Sequence, residues 1–125
     1  MTLDIYAEEI IDRFKSPHNF GALENADFEA EELNPLCGDR IKLQINNNNG
    51  KLTAKFSGQG CAISLASADI LCDEIRNTNI SEVKNLKDED AIKLLNVQIT
   101  GTRLKCALLA LWTLRQALKN GNRNL

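Results

Sequence analysis

Cys37 and Asp39 in NPLCGD (Asn34 to Asp39), Cys61 in SGQGCAIS (Ser57 to Ser64) and Cys106 in TRLKCALLAL (Thr102 to Leu111) are the residues whose types and spacing could do chemistry. Each thiol stands beside glycine or at the start of an expected helix, where N–H groups without a helical partner stabilise a thiolate. Three thiols and a carboxylate make a four-ligand soft-metal site if the fold gathers them. Thiolate-rich ligation selects zinc, copper(I) or iron–sulfur chemistry over magnesium or calcium. No Cys-x-x-Cys pair occurs, which excludes a zinc finger or ribbon, so tertiary structure must assemble any such site.

A cysteine in a small intracellular protein more often packs than reacts, and each of the four is weighed against that default. Cys72 obeys it. On a helix it falls about 20° from Cys61 in azimuth, within the apolar stripe of Leu65, Ala68 and Ile75, and roughly 16 Å further along, too far to share an ion. Cys106 lies roughly 140° from the centre of the leucine stripe of its own helix, and so is not aimed at the same core. Arg103, Lys105 and the helix N-terminus would favour its thiolate. Cys61 follows Gly58-Gln59-Gly60, whose backbone can turn sharply and aim N–H groups at whatever the sulfur carries. Cys37 sits in a turn by composition, and Asp39 alone would read as an Asx-turn or cap residue. His18 reads as a surface imidazole outside the site, Trp112 and Phe56 as core, and Glu29 to Glu32 as a solvated face.

The elements that must position these residues are legible in the pattern. Ile5, Tyr6, Ile10, Ile11 and Phe14 predict a helix over 3–15, ended by the breakers of SPHNFG (Ser16 to Gly21). Residues 26–33 suggest an acidic strand with Phe28 and Ala30 on one side. Ile41, Leu43 and Ile45, then Leu52, Ala54 and Phe56, alternate with polar residues at the period of two strands, and Asn46 to Gly50 supply a hairpin turn. The glycines from Gly58 end the second strand. Helices are expected from Cys61 or Ala62 to Arg76, over 81–86 and 88–95, and from Thr100-Gly101-Thr102 through about Leu118, stopped by Asn120-Gly121. Leu104, Ala107, Leu108, Leu111, Leu114 and Leu118 form the stripe of the last helix. The fold class is α+β: a small antiparallel sheet of about three strands with helices packed on one face, in one domain over 1–125. An antiparallel hairpin places residues 34–39, before its first strand, beside Cys61, after its second.

Composition bounds the function. At 125 residues, 43% apolar and 26% charged, the chain can bury a core. A net charge of −2 without a basic stripe gives no case for nucleic acid, and no apolar run spans a bilayer. The N-terminus is acidic and amphipathic, unlike an export signal, which favours the cytoplasm and reduced thiols over disulfides.

In this order and spacing, NPLCGD, GQGCAIS and RLKCALLA (Arg103 to Ala110), with YAEEIIDRFKSPHNFGAL (Tyr6 to Leu23) ahead of them, resemble the iron–sulfur cluster scaffold proteins of the IscU/SufU/NifU N-terminal type over nearly the whole chain. The resemblance implies that Cys37, Cys61 and Cys106 hold a [2Fe–2S] cluster or a Zn2+ ion, with Asp39 as fourth ligand or exchangeable neighbour. It implies a cysteine desulfurase as sulfur donor, a persulfide acceptor among Cys37, Cys61 and Cys106, and apo iron–sulfur proteins as recipients. Two roles follow: a non-enzymatic scaffold, or a SufU-like zinc-dependent sulfurtransferase that stimulates the desulfurase. IscU-type scaffolds usually carry His-Cys at the third motif; here Lys105 precedes Cys106, as in SufU-type proteins, although the SufU insertion between the second and third cysteines is missing. A protonated lysine has no lone pair for a metal. NVQITGT (Asn96 to Thr102) replaces the proline-containing chaperone motif of IscU, which argues against a dedicated Hsp70-type chaperone.

Overall fold

The computed structural model describes residues 2–35, 38–95, 99, 101 and 103–121, the side chains of residues 2–7 excepted. Cys37 and most of NVQITGT therefore lie outside the described residues. The element order is α1 (Thr2–Lys15), β1 (Phe28–Asn34), β2 (Asp39–Asn48), β3 (Lys51–Gln59), α2 (Ala62–Arg76), α3 (Ile80–Lys84), α4 (Asp88–Leu95) and α5 (Arg103–Gly121).

The three strands form an antiparallel sheet in the order β1-β2-β3. Period-two alternation sets its register: Phe28 faces Ile45, Ala30 faces Leu43, and these face Ala54 and Phe56 in turn, all on the buried side. The outward row includes Glu31, Arg40 and Lys42, with Arg40 and Glu31 paired at 3.4 Å. The acidic run is thus a strand whose alternate residues are wet, and Ala30 within it is core. The hairpin turns on Asn49 and Gly50 alone, at φ 55° and 94°, the left-handed pair of a tight two-residue turn. The expected five-residue turn is shorter because Asn46 to Asn48 stay in β2. There the Asn47 N–H donates to Asp27 Oδ2 at 2.8 Å, and the Asn46 side chain accepts from the Asp27 N–H at 2.9 Å.

Helices α2 and α5 cover the dry face of the sheet, and α1 and α4 pack on them. α2 is buried on two sides: Ala68, Leu71, Cys72 and Ile75 join the main core, while Ile63, Ala66 and Ile70 join a second cluster with Ile10, Leu95, Ile99, Cys106 and Ala107. Cys72 packs as expected, and burial pushes its thiol well above the ordinary range, with Asp69 and Asp73 adding to the effect. One expectation for α5 is corrected: Leu104 is 38% exposed and is not part of the buried stripe. α5 ends at Gly121, as Asn120-Gly121 implied, and a Cβ on that glycine would lie 2.0 Å from the Phe28 ring.

SPHNFG does more than end α1. The Asn19 N–H donates to Asp69 Oδ1 at 2.8 Å, and the Asn19 amide donates to the Asp69 carbonyl at 3.0 Å. Arg13 reaches Asp69 Oδ2 at 2.9 Å and also Asp73. This latch clamps α1 and its following loop onto α2. The Gly21 N–H then donates to the Phe56 carbonyl at 2.8 Å and the Phe56 N–H donates to the Asn19 carbonyl at 3.0 Å, which covers the free edge of β3 at Phe56. Among the described residues no helix is long and apolar enough to cross a membrane.

Candidate metal centre

The β2–β3 hairpin carries two of the expected ligands to one place. Asp39 opens β2, and the chain leaves β3 at Gln59, whose Cα partner is Arg40, before entering α2. Gly58 remains in β3 rather than breaking it, since a Cβ there would stand 2.0 Å from the Arg40 carbonyl oxygen. Gly60 makes room for the carboxylate: a Cβ on it would meet Asp39 Oδ1 at 2.8 Å.

Cys61 is the N-cap residue of α2, at φ −74° and ψ 169°, yet its side chain makes no capping bond. Its N–H, expected to face the sulfur's own ligand, instead donates to Asp39 Oδ1 at 3.2 Å. The carboxylate from β2 therefore sits at the positive end of α2, where a helix favours negative charge. The other oxygen, Oδ2, accepts from the Ser64 hydroxyl at 2.7 Å, and Ser64 Oγ lies 3.5 Å from Cys61 Sγ. Asp39 is only 2% exposed. Among the described residues no ion pair reaches it; its partners are neutral donors.

Cys106 enters from the first turn of α5. It points away from the main core, as its azimuth requires, but into the second apolar cluster, where it is 4% exposed. Its neighbours Arg103 and Lys105 are exposed, as is Cys61. Asp39, Cys61 and Cys106 each offer one ligand atom, all within 4.8 Å of one another, although they come from β2, the α2 cap and α5. Zinc bonds of about 2.0–2.3 Å hold ligand atoms a little under 4 Å apart, so small side-chain movements close this set around one ion. Two sulfurs and one oxygen suit a soft or borderline metal, and among the described residues no cation pairs with the buried carboxylate; the residues present fit such a group. His18 is largely exposed, 3.9 Å from Asp73 Oδ2, and takes no part in this group. Sequence reasoning missed Ser64 and read Gly60 only as part of a sharp turn; the Cys-x-x-Ser spacing in a first helical turn was the signal for Ser64.

The family model described as the NifU-like N terminal domain matches residues 5–124. The chain is 35% identical to the iron–sulfur cluster assembly scaffold protein IscU of Thermotoga maritima, over 95% of this chain and 96% of that one. It is 32% identical to the zinc-dependent sulfurtransferase SufU of Bacillus subtilis, over 94% and 88%. Among solved structures, a protein of Fervidobacterium islandicum AW-1 described as an iron–sulfur cluster assembly scaffold for the SUF system superposes with a TM-score of 0.75 at 30% identity, covering 94% of this chain and 99% of that one. A NifU-like N-terminal protein of Brucella abortus shares the fold at a TM-score of 0.75 and 16% identity, over 98% and 97%.

Proposed function

Since the chain belongs to the family of NifU-like N-terminal domains, we propose that it is an iron–sulfur cluster assembly scaffold, one domain over 1–125 working in the cytoplasm. It accepts persulfide sulfur from a cysteine desulfurase, builds a labile [2Fe–2S] cluster and passes it to apo-proteins. The observation that carries this reading is the convergence of Asp39, Cys61 and Cys106 within 4.8 Å from three separate elements. Cys37, two residues before Asp39, completes the ligand set by its position in the sequence.

The chain's own residues explain why such a site would release what it holds. Asp39 is a harder ligand than a thiolate and is already satisfied by the Cys61 N–H and the Ser64 hydroxyl, so leaving a metal does not strand it. Cys61 is exposed and open to an incoming partner, whereas Cys106 is shielded by Ile63, Ala66 and Leu95. A zinc ion at the same residues would supply Lewis acidity and hold the thiols as thiolates.

Anaerobic reconstitution with iron, cysteine and a cysteine desulfurase tests the proposal. It should yield a [2Fe–2S] chromophore that moves to an apo-ferredoxin. Tight zinc retention with no cluster formed would overturn it. Lys105 in place of a histidine favours the second reading, a SufU-like zinc-dependent sulfur acceptor. That role requires the zinc form to raise desulfurase turnover several-fold, and Cys61→Ala to abolish the rise.

A further inference from the structure

We propose that Ser64 is a positioning residue of the metal centre, holding the Asp39 carboxylate in the orientation that a metal ion requires; the assignment rests on the metal-binding reading above. Ser64 is 0% exposed and makes its hydrogen bonds inside the site. Its hydroxyl donates to Asp39 Oδ2 at 2.7 Å, and its oxygen lies 3.5 Å from Cys61 Sγ. It thus touches two of the ligand residues, one on β2 and one at the cap of α2.

The alternatives open to each group leave little freedom. An ionised carboxylate only accepts hydrogen bonds, so the single Ser64 proton goes to Asp39. The other restraint on Asp39 is the Cys61 N–H at 3.2 Å, a longer contact to the other oxygen. Two bonds to two oxygens fix rotation about the Cβ–Cγ bond; one does not. Without Ser64, the carboxylate turns about the remaining contact and no longer holds its place near the Cys61 and Cys106 sulfurs. Partners that orient a ligand without touching the metal are typically worth about 10–100-fold in metal affinity.

Cobalt(II) titration of the full chain under anaerobic, reducing conditions tests this, because sulfur-to-cobalt charge transfer and the ligand-field bands report the ligand set. Ser64→Ala should weaken cobalt binding about 10–100-fold and move the ligand-field bands toward those of Asp39→Ala, with urea unfolding showing that the variant is folded. Ser64→Thr, which keeps the hydroxyl, should retain the wild-type bands. On an Asp39→Ala background, Ser64→Ala should cost no further affinity, since its effect runs through the carboxylate. Wild-type affinity in Ser64→Ala, or an equal loss with and without Asp39, overturns the assignment and leaves the metal centre standing. Absence of cobalt charge transfer in the wild-type protein overturns the metal centre and the Ser64 assignment together.

Discussion

Asp39 on β2 and Asp69 on α2 are both buried, at 2% and 0% exposure, yet the protein satisfies them in opposite ways. Asp69 faces a cation: Arg13 reaches it at 2.9 Å, and the Asn19 N–H closes its second oxygen at 2.8 Å. Among the described residues, Asp39 accepts from a backbone N–H and a serine hydroxyl, with two cysteine sulfurs nearby. A buried carboxylate paired with a guanidinium is electrostatically complete and fastens α1 to α2. One whose described partners are neutral donors has hydrogen bonds but no cation beside it, which leaves it free to take a metal ion. The same residue type is thus a fixture on α2 and part of an ion site on β2.

The largest effect should come from breaking the complete pair. Arg13→Ala leaves Asp69 buried without its cation and should destabilise the fold by about 3–5 kcal/mol in urea unfolding, with zinc affinity measured on the folded fraction unchanged. A loss below about 1 kcal/mol would mean that the Asn19 donors suffice and that the two sites do not differ as argued.

Asparagine in each position sharpens the contrast. Asp69→Asn removes one of the carboxylates paired with Arg13, which keeps Asp73, and should cost about 2 kcal/mol. Asp39→Asn should cost under about 1 kcal/mol without metal, because the Ser64 hydroxyl can turn and accept from the new amide while the amide oxygen keeps the Cys61 N–H. In zinc competition the order reverses: Asp39→Asn should lose about 10–100-fold and Asp69→Asn nothing. Equal stability costs at the two positions would erase the distinction.

The difference between these sites also marks what was legible in the sequence. The Asp39–Cys61 approach follows from local periods: alternation over 41–45 and 52–56 defines a hairpin, and a hairpin brings its outer ends together. The off-stripe azimuth of Cys106 gave its direction, though not the second apolar cluster that buries it, because that cluster draws on α1, α2, α4 and α5 at once. The Arg13–Asp69–Asn19 latch has no local signature. Asn19 reads as loop chemistry and Asp69 as an oddity in an apolar helix, and only docking across 50 residues of chain shows each to be the other's partner. Gly121 was legible only in part: a glycine near a helix end reads as a stop, and α5 does end there, but the Phe28 ring against it is a tertiary fact.

The smallest effect concerns the rim of the latch and depends on pH. Burial alone would raise the Asp73 carboxyl, but hydrogen bonds from Asn19 and Arg13, the charge of Arg13 and a bond from Arg76 outweigh it and hold Asp73 below the ordinary carboxylate value. A carboxyl depressed in the folded state binds fewer protons there than in the unfolded chain. Its contribution is therefore fully present above the ordinary value of about 3.9 and is lost as pH falls through the depressed folded value. The Asp73 side chain is 23% exposed, so solvent screens part of its interaction and its share should be small. Urea midpoints followed from pH 7 to pH 3 should fall, and Asp73→Asn should flatten the lower part of that descent. An unchanged slope in Asp73→Asn would transfer the acid sensitivity elsewhere and reduce the latch to the single Arg13–Asp69 pair.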